Sequence, residues 1–495
     1  MSSKKADSSK SVGTAYFTEN ARVQACLKDL NQHFAEKPLV VSDILDPQGH
    51  QYVHLVQKGG GVLGIALVGY TYVLEQMGIR FMRLAGTSAG AINTAMMTII
   101  KNKEDAKSVD IVEILCNLDF FKLVDGHPFA RFIISKFVKE PDFSVMVKKW
   151  VSRFFIIFAL LFLCDFVTFG LQPYYEWARP LCLTLFIITG LYTLVLFIAC
   201  FYFSTLLTML KNSGYGINPG DFLYDWIKDN FKKNGVNNVS ELNAKASQDI
   251  PGLHLRDGVI NEAGIDDIKG DVTFITSELV TENKLEFPKM CYLFRKPEDI
   301  DKLHPAGFVR ASMSIPVFYE SYYIKDIPCD DPAIKAAWNN VFDEEDPPST
   351  ARFVDGGILS NFPINLFFNE NVQIPRLPVF GIDLDDSTPD DSGKHAESWS
   401  LGGYLGRMFN TIRDYYDKDF LLKNKVMQEG IGVVPLSKFN WLNFFIQDPE
   451  KLDMFATGAE AAAAFLKGFD WDTYKNSYST VQHQITPNLQ SKKSN

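Results

Sequence analysis

Residues 54–99 read HLVQKGGGVLGIALVGYTYVLEQMGIRFMRLAGTSAGAINTAMMTI. The apolar HLVQ predicts a short strand, GGGVLG a glycine loop opening a helix, and IRFMRLA a second strand. A sharp turn carrying Ser88 follows and leads into another helix. Strand, helix, strand and helix in that order predict an α/β fold. The same order sets two devices close together: a nest of backbone N–H groups and a serine raised on a tight turn. Those are the parts needed to attack an acyl carbonyl and hold the negative charge that results.

Gly86-Thr87-Ser88-Ala89-Gly90 has the Gly-x-Ser-x-Gly form of a nucleophile elbow. Its small residues relieve crowding at a strained turn, and the N-terminus of the following helix favours developing negative charge. A plain strand-to-helix turn with a capping serine is the bland alternative. Gly59-Gly60-Gly61-Val62-Leu63-Gly64 suits either a phosphate or an oxyanion. A phosphate loop needs Lys-Ser/Thr after the last glycine, where this chain has Ile65-Ala66. A dinucleotide site wants an acidic residue roughly 20 positions on, and Glu75 is too near. Neither nucleotide reading has a role for the serine elbow, so the loop reads as an oxyanion hole. The third piece is Asp355-Gly356-Gly357. An aspartate at a strand end, followed by glycines, can come within reach of a serine and act as its base, although an Asp-Gly turn is common by itself.

These three signatures, GGGVLG, GTSAG and DGG, occur in the order found in patatin-like phospholipases, and the chain resembles that family. Further similarity lies in YGINPGDFLYDWI, RASMSIPVFY and DGGILSNFPI. The resemblance covers residues 54–93 and 214–384 and implies a three-layer α/β/α fold with a Ser–Asp dyad. It implies Ser88 as nucleophile and Asp355 as base, with Gly59, Gly60, Gly61 and Val62 around the oxyanion hole. Gly64, Gly86, Gly90, Gly356 and Gly357 would support the motifs. No metal or cofactor is called for. Lys58 departs from the acidic or small residue that often precedes the family's glycines, and the hydrophobic segment described next is foreign to the minimal family domain. A Ser–His–Asp triad hydrolase, the rival enzyme class, needs a late histidine. His395 and His483 are the late candidates and neither follows a predicted strand; all eight histidines read as structural or surface residues.

Composition changes abruptly at Lys148. Residues 154–171 and 181–210 are two apolar runs joined by the short polar stretch 172–180. As helices they would be about 27 Å and about 45 Å long, against a hydrocarbon core of ~30 Å. Buried core helices, or a hairpin dipping into one leaflet, are the alternatives to a spanning pair. Asp165 lies inside the first run, where it should be protonated, paired or turned toward the other helix. Lys148, Lys149 and Arg153 precede the hairpin and Lys211, Lys228, Lys232 and Lys233 follow it, while the turn has only Arg179 opposed by Glu176. The basic flanks, and with them the catalytic domain, are expected in the cytoplasm. An even number of crossings keeps both halves of that domain on one side.

Elsewhere the chain is ordinary. Its net charge of -10 gives no support to nucleic-acid binding. Seven scattered cysteines without paired or metal-type spacing fit a reducing compartment. Residues 1–14 read as a disordered leader without a secretory signal, and 491–494 as a disordered tail. A helix is expected over 21–34, helical pattern over 108–138, a strand over 271–277 and a helix over 309–319 ended at Pro316. An acidic surface insertion is expected over 330–348, a strand at 352 running into a glycine turn, a strand over 379–384 and a helix over 404–425. The expected organisation is 1–50 leader and helix, 51–147 and 212–440 the two parts of the patatin-like domain, 148–211 the hairpin, and 441–495 a helical region with tail. The expected partners are a lipid bilayer and an acyl-ester lipid, a glycerophospholipid or lysophospholipid. An acylglycerol lipase or acyltransferase with the same dyad, or a catalytically silent lipid-binding scaffold, are the alternatives.

Overall fold

Gly64–Gln76 is apolar on every face, so its helix must be covered all round. The computed structural model, which describes residues 13–128, 131–132, 135–136, 143–212, 214–259, 268–369, 372, 374–386 and 401–478, shows how. The described residues divide into two compact units, one made of the chain up to Asp125 and from Gly220 on, the other Gly126–Pro219.

In the first unit, helix α1 (Ala21–His33) is followed by β1 (Gln51–Gln57), α2 (Gly64–Gln76), β2 (Ile79–Thr87), α3 (Ala89–Ile99) and α4 (Ser108–Cys116). The second unit holds α5 (Phe143–Leu171) and α6 (Ala178–Asn212). The first unit resumes with α7 (Asp221–Lys233), β3 (Asp271–Glu278), β4 (Asn283–Phe287), α8 (Ala306–Ser312), β5 (Tyr322–Ile324) and α9 (Pro332–Phe342). Then come β6 (Ala351–Asp355), β7 (Val379–Asp385), α10 (Leu401–Lys423), β8 (Ile431–Pro435) and α11 (Asp448–Gly468). The sheet runs β8-β7-β1-β2-β3-β6-β5, with β4 also paired to β3. Pairing is parallel from β8 to β3 and antiparallel for β6, β5 and β4. This is a mixed α/β sheet whose parallel part carries the glycine loop and the serine turn at the C-terminal ends of β1 and β2.

α11 covers α2. The two backbones approach so closely that a Cβ at Gly69 would strike the Phe455 carbonyl, and one at Gly458 the Ala66 carbonyl. α1 ties on from outside: Arg22 reaches Asp453 and Glu460 of α11, each at 2.7 Å. Val56, Ala85 and Val379 from the sheet share a buried cluster with Phe362, Ile364, Met427, Trp471 and Tyr474.

Three stretches differ from the sequence reading. The acidic region 330–348 is more than a surface insertion, because it contains α9, whose Trp338 is fully buried and donates Nε1–H to the Leu293 carbonyl at 2.6 Å. Helix α8 ends at Ser312, well before Pro316, and residues 317–319 form a strand. Ser312 bonds across to β3 there, through Oγ to the Ile275 carbonyl at 2.6 Å, where a continuing helix would run past it. In the 108–138 stretch, α4 stops at Cys116 and a short 3-10 turn occupies Phe120–Leu123. The expected leader (apart from 13–14), the tail and the late histidines His395 and His483 lie outside the described residues.

In the second unit both helices are longer than the apolar runs. α5 has 29 residues because Lys148, Lys149 and Arg153, good helix formers, continue the helix outward. Within its span Met146–Leu171, and within Ala178–Lys211 of α6, an 18-residue window reaches a mean hydropathy of 2.5, with only 6% and 11% of the window buried within the chain. By length and composition both can cross a membrane. They are joined by Tyr192, which stacks on Phe154 at 4.5 Å and donates its hydroxyl to the Phe154 carbonyl at 3.0 Å. Asp165 is partly covered, and among the described residues its Oδ1 has no hydrogen-bond partner.

Candidate active site

Gly86 and Thr87, the last residues of β2, pair with Phe274 and Ile275 of β3, and the chain then turns at Ser88 into α3. Ser88 has φ 55° and ψ −122°, a conformation an L-residue adopts only under constraint, at a cost of about 1–3 kcal/mol. The constraints are visible. Ser88 N–H donates to Ser312 Oγ at 2.9 Å, and Thr87 Oγ1 donates to the Ser360 carbonyl at 3.0 Å. Gly86 and Gly90 meet backbone to backbone across the turn. Held this way, Ser88 Oγ donates to Asp355 Oδ2 at 2.6 Å and lies 3.2 Å from Met313 Sδ.

Asp355 ends β6 and is buried. Its N–H donates to the Ser314 carbonyl at 2.9 Å, and its Oδ1 accepts the Gly357 N–H at 2.7 Å. Gly356 lies against the Ile275 backbone, so the turn hugs β3. Burial pushes the Asp355 carboxyl up to about 6, against the opposing pull of the Ser88 and Gly357 hydrogen bonds and the Arg413 charge. A carboxylate so poised is a far better base than one in water. Ser314 is held in turn by buried Arg310, whose Nη1 donates to its Oγ at 2.6 Å and whose Nε donates to the Gly220 carbonyl at 3.1 Å.

The glycine loop flanks the serine. Gly59 N–H is taken by the Asn361 carbonyl and Val62 N–H by the Trp441 carbonyl, both at 3.0 Å. Among the described residues, the amides of Gly60 and Gly61 have no hydrogen-bond partner. Gly61 has φ +55° and any Cβ there would strike the Trp441 carbonyl, so glycine is required. Gly64 opens α2 with Ala89 against it. The loop is anchored from below by Asp417 of α10, which accepts from Ser360 Oγ and Phe362 N–H, each at 2.8 Å, on either side of Asn361. Lys58 ion-pairs with Asp383 of β7 at 2.6 Å, and so takes a place in the loop's support.

Ser88, Asp355, Gly60, Gly61, Leu384 and Trp441 line one cleft with a cavity volume of about 80 Å³, and Lys58, Asp386 and Arg413 add further charged residues to it. No described histidine lines it. His50 is engaged with Asp46 at 2.8 Å, and His54 lies against Phe367 at 5.4 Å. Among the described residues no group of His, Cys, Asp and Glu is arranged to hold a metal. The arrangement is therefore a hydroxyl–carboxylate pair with unpaired backbone donors beside it. Ser312, Arg310, Asp417 and Trp441 are support residues that sequence reasoning missed. RASMSIPVFY, quoted only for its similarity, contains the two serines that hold the elbow and the base.

A curated relative, the uncharacterized protein YqhO of Bacillus subtilis (strain 168), is 24% identical over 416 residues, covering 84% of this chain and 98% of its own. Among solved structures, VipD from Legionella pneumophila aligns at 13% identity and a TM-score of 0.33, over 87% of this chain and 70% of that one. The patatin-like phospholipase family model matches residues 55–368, which takes in both halves of the site and more than half of the chain. The chain belongs to the patatin-like phospholipase family.

Proposed function

We propose that the protein is a membrane-anchored serine hydrolase that cleaves fatty acyl esters of phospholipids or lysophospholipids through an acyl-Ser88 intermediate. The observation that carries this reading is the 2.6 Å contact from Ser88 Oγ to Asp355 Oδ2 beside the unpartnered amides of Gly60 and Gly61.

Asp355 takes the Ser88 proton as Oγ attacks the ester carbonyl carbon. The carbonyl oxygen becomes an oxyanion facing the Gly60 and Gly61 N–H groups, each donor worth about 3–4 kcal/mol by comparison with other oxyanion holes. The tetrahedral intermediate collapses, the ester C–O bond breaks, and the proton on Asp355 passes to the leaving alcohol. Asp355 then takes a proton from water, whose oxygen attacks the acyl-serine. Collapse returns the proton to Ser88 Oγ and releases the fatty acid. Residues 86–90 and 355–357 need no third side chain for this cycle.

The two apolar helices are proposed to span the bilayer, with both flanks on the cytoplasmic side. Lys148, Lys149 and Arg153 before them and Lys211 after them support that orientation. Lipid then reaches the enzyme by diffusion within the membrane. Ser88→Ala compared with wild type on vesicles of phospholipid and on acylglycerol emulsions tests the reading. Fatty acid release from phospholipid should fall at least about a thousandfold; equal release from both proteins would remove Ser88 from the mechanism.

A further inference from the structure

A second cavity starts beside the nucleophile and leads away from the charged cleft. Its cavity volume is about 60 Å³. Gly61 lines both spaces, and Met313, whose Sδ lies 3.2 Å from Ser88 Oγ, lines this one. Its walls are apolar: Ile65 and Val68 from α2, Leu115 from α4 and Leu223 from α7 are representative. No charged side chain lines it among the described residues. Asn93 is its polar exception: the Nδ2 ties back to Gln57 Oε1 at 2.6 Å, and among the described residues the buried Oδ1 has no partner.

The far boundary is identifiable. Trp226 of α7 and Ile114 of α4 line this cavity and also line a separate cleft whose other residues include Asp110, Glu113, Asp229 and Lys233. The indole therefore stands between an apolar chamber and a polar one. Leu223, one turn earlier on α7, is fully buried and fixes the helix face that presents Trp226.

We propose that the apolar cavity receives the acyl chain of the substrate and that Trp226, with Ile114, is the wall that limits its length. The inference rests on Ser88 being the nucleophile. An ester carbonyl at Ser88 has two directions open to its substituents. The cleft with Lys58, Asp386 and Arg413 suits the polar alcohol portion, and the hydrocarbon wall suits the acyl methylenes. Burying each methylene in such a wall is worth about fourfold in specificity. A chain that reaches Trp226 gains nothing from further methylenes, because the next space is polar and occluded by the indole.

The test uses full-length protein in detergent micelles of fixed composition and p-nitrophenyl esters graded from butyrate to stearate, so that only the acyl chain varies. Trp226→Ala joins the two chambers, and the chain-length optimum in kcat/KM should move to longer esters. The ratio of rates on long over short chains should rise at least about tenfold, two or more methylenes' worth. Leu115→Phe narrows the cavity before the wall and should move the optimum to shorter esters, which keeps the test decisive if the alanine variant folds poorly. An unchanged profile in folded Trp226→Ala, or in Leu115→Phe where the former does not fold, overturns the ruler while leaving the dyad intact. Full hydrolysis by Ser88→Ala on the same esters would instead overturn the nucleophile itself.

Discussion

Thr87 and Asp355, the last residues of β2 and β6, pair with consecutive residues of β3, Ile275 and Thr276. At both positions β4 holds the other edge of β3, through Glu286 and Leu285. β2 and β6 therefore share one edge and run toward each other, β2 parallel to β3 and β6 antiparallel to it. Ser88 follows Thr87 directly, so strand register alone brings nucleophile and base to one point, although 267 positions separate them in the chain. The same Ile275 offers its carbonyl to Ser312 Oγ, which accepts the Ser88 amide. The strained turn is thus fastened to the strand that aligns its base.

Removing that fastening should cost positioning more than folding. Ser312→Ala leaves the Ser88 N–H and the Ile275 carbonyl without their bridge, a loss of about 1–3 kcal/mol. Turnover should drop roughly tenfold or more with KM little changed, and steady-state kinetics beside a melting curve check it. A fall in KM-independent turnover that Ser312→Thr restores would mark the hydroxyl as a positioning group; wild-type turnover in Ser312→Ala would remove it from the site.

The Asp355 carboxyl, pushed up to about 6 by burial, acts as a base only when ionised, so kcat/KM should rise with pH through about 6 and level off above. Stability should run the other way. The folded-state value is above the ordinary 3.8, so the group's contribution is full below that ordinary value and is lost as pH rises through about 6. Asp355→Asn cannot ionise. It should be inactive and yet more stable than wild type at about pH 8, by up to about 3 kcal/mol, with the difference shrinking toward about pH 4. Denaturant titrations at the two pH values check the sign; equal differences at both would contradict the burial argument.

The proposed topology places the turn between α5 and α6 across the bilayer from the catalytic unit. Gln172→Cys should react with a membrane-impermeant thiol reagent added outside intact cells, and Ala464→Cys, at an exposed position of α11, should react only after permeabilisation. Each is read against the native cysteines as background. Reaction of both from the same side would contradict a spanning hairpin.

Local motifs were legible because their chemistry is written in a few adjacent residues. GTSAG specifies a crowded turn, GGGVLG a backbone nest and DGG a close approach, and each of these stretches borders the same cleft. The hairpin was legible from hydropathy, though not its full length, because Lys148 and Lys149 extend a helix as readily as they end an apolar run. What was not legible depends on contacts between distant segments. Trp338 sits among acidic neighbours that look like surface, and its burial involves the distant Leu293 carbonyl and the Phe294 ring, 5.7 Å away. Residues 441–495 read as a region apart, yet α11 lies on α2 with glycines interlocked at Gly69 and Gly458. Of the loop amides, sequence could not separate those already bonded, Gly59 and Val62, from Gly60 and Gly61, since the partners Asn361 and Trp441 are some 300 and 380 positions away by their numbering.

The central claim is that Ser88 is a nucleophile activated by Asp355. The most direct measurement is fluorophosphonate labelling of the full-length protein, with the adduct located by mass spectrometry, in wild type and in Asp355→Asn. The account predicts a single adduct on Ser88 in wild type and its loss in Asp355→Asn at neutral pH. An adduct on another residue, or equal labelling of Ser88 in both proteins, would contradict it.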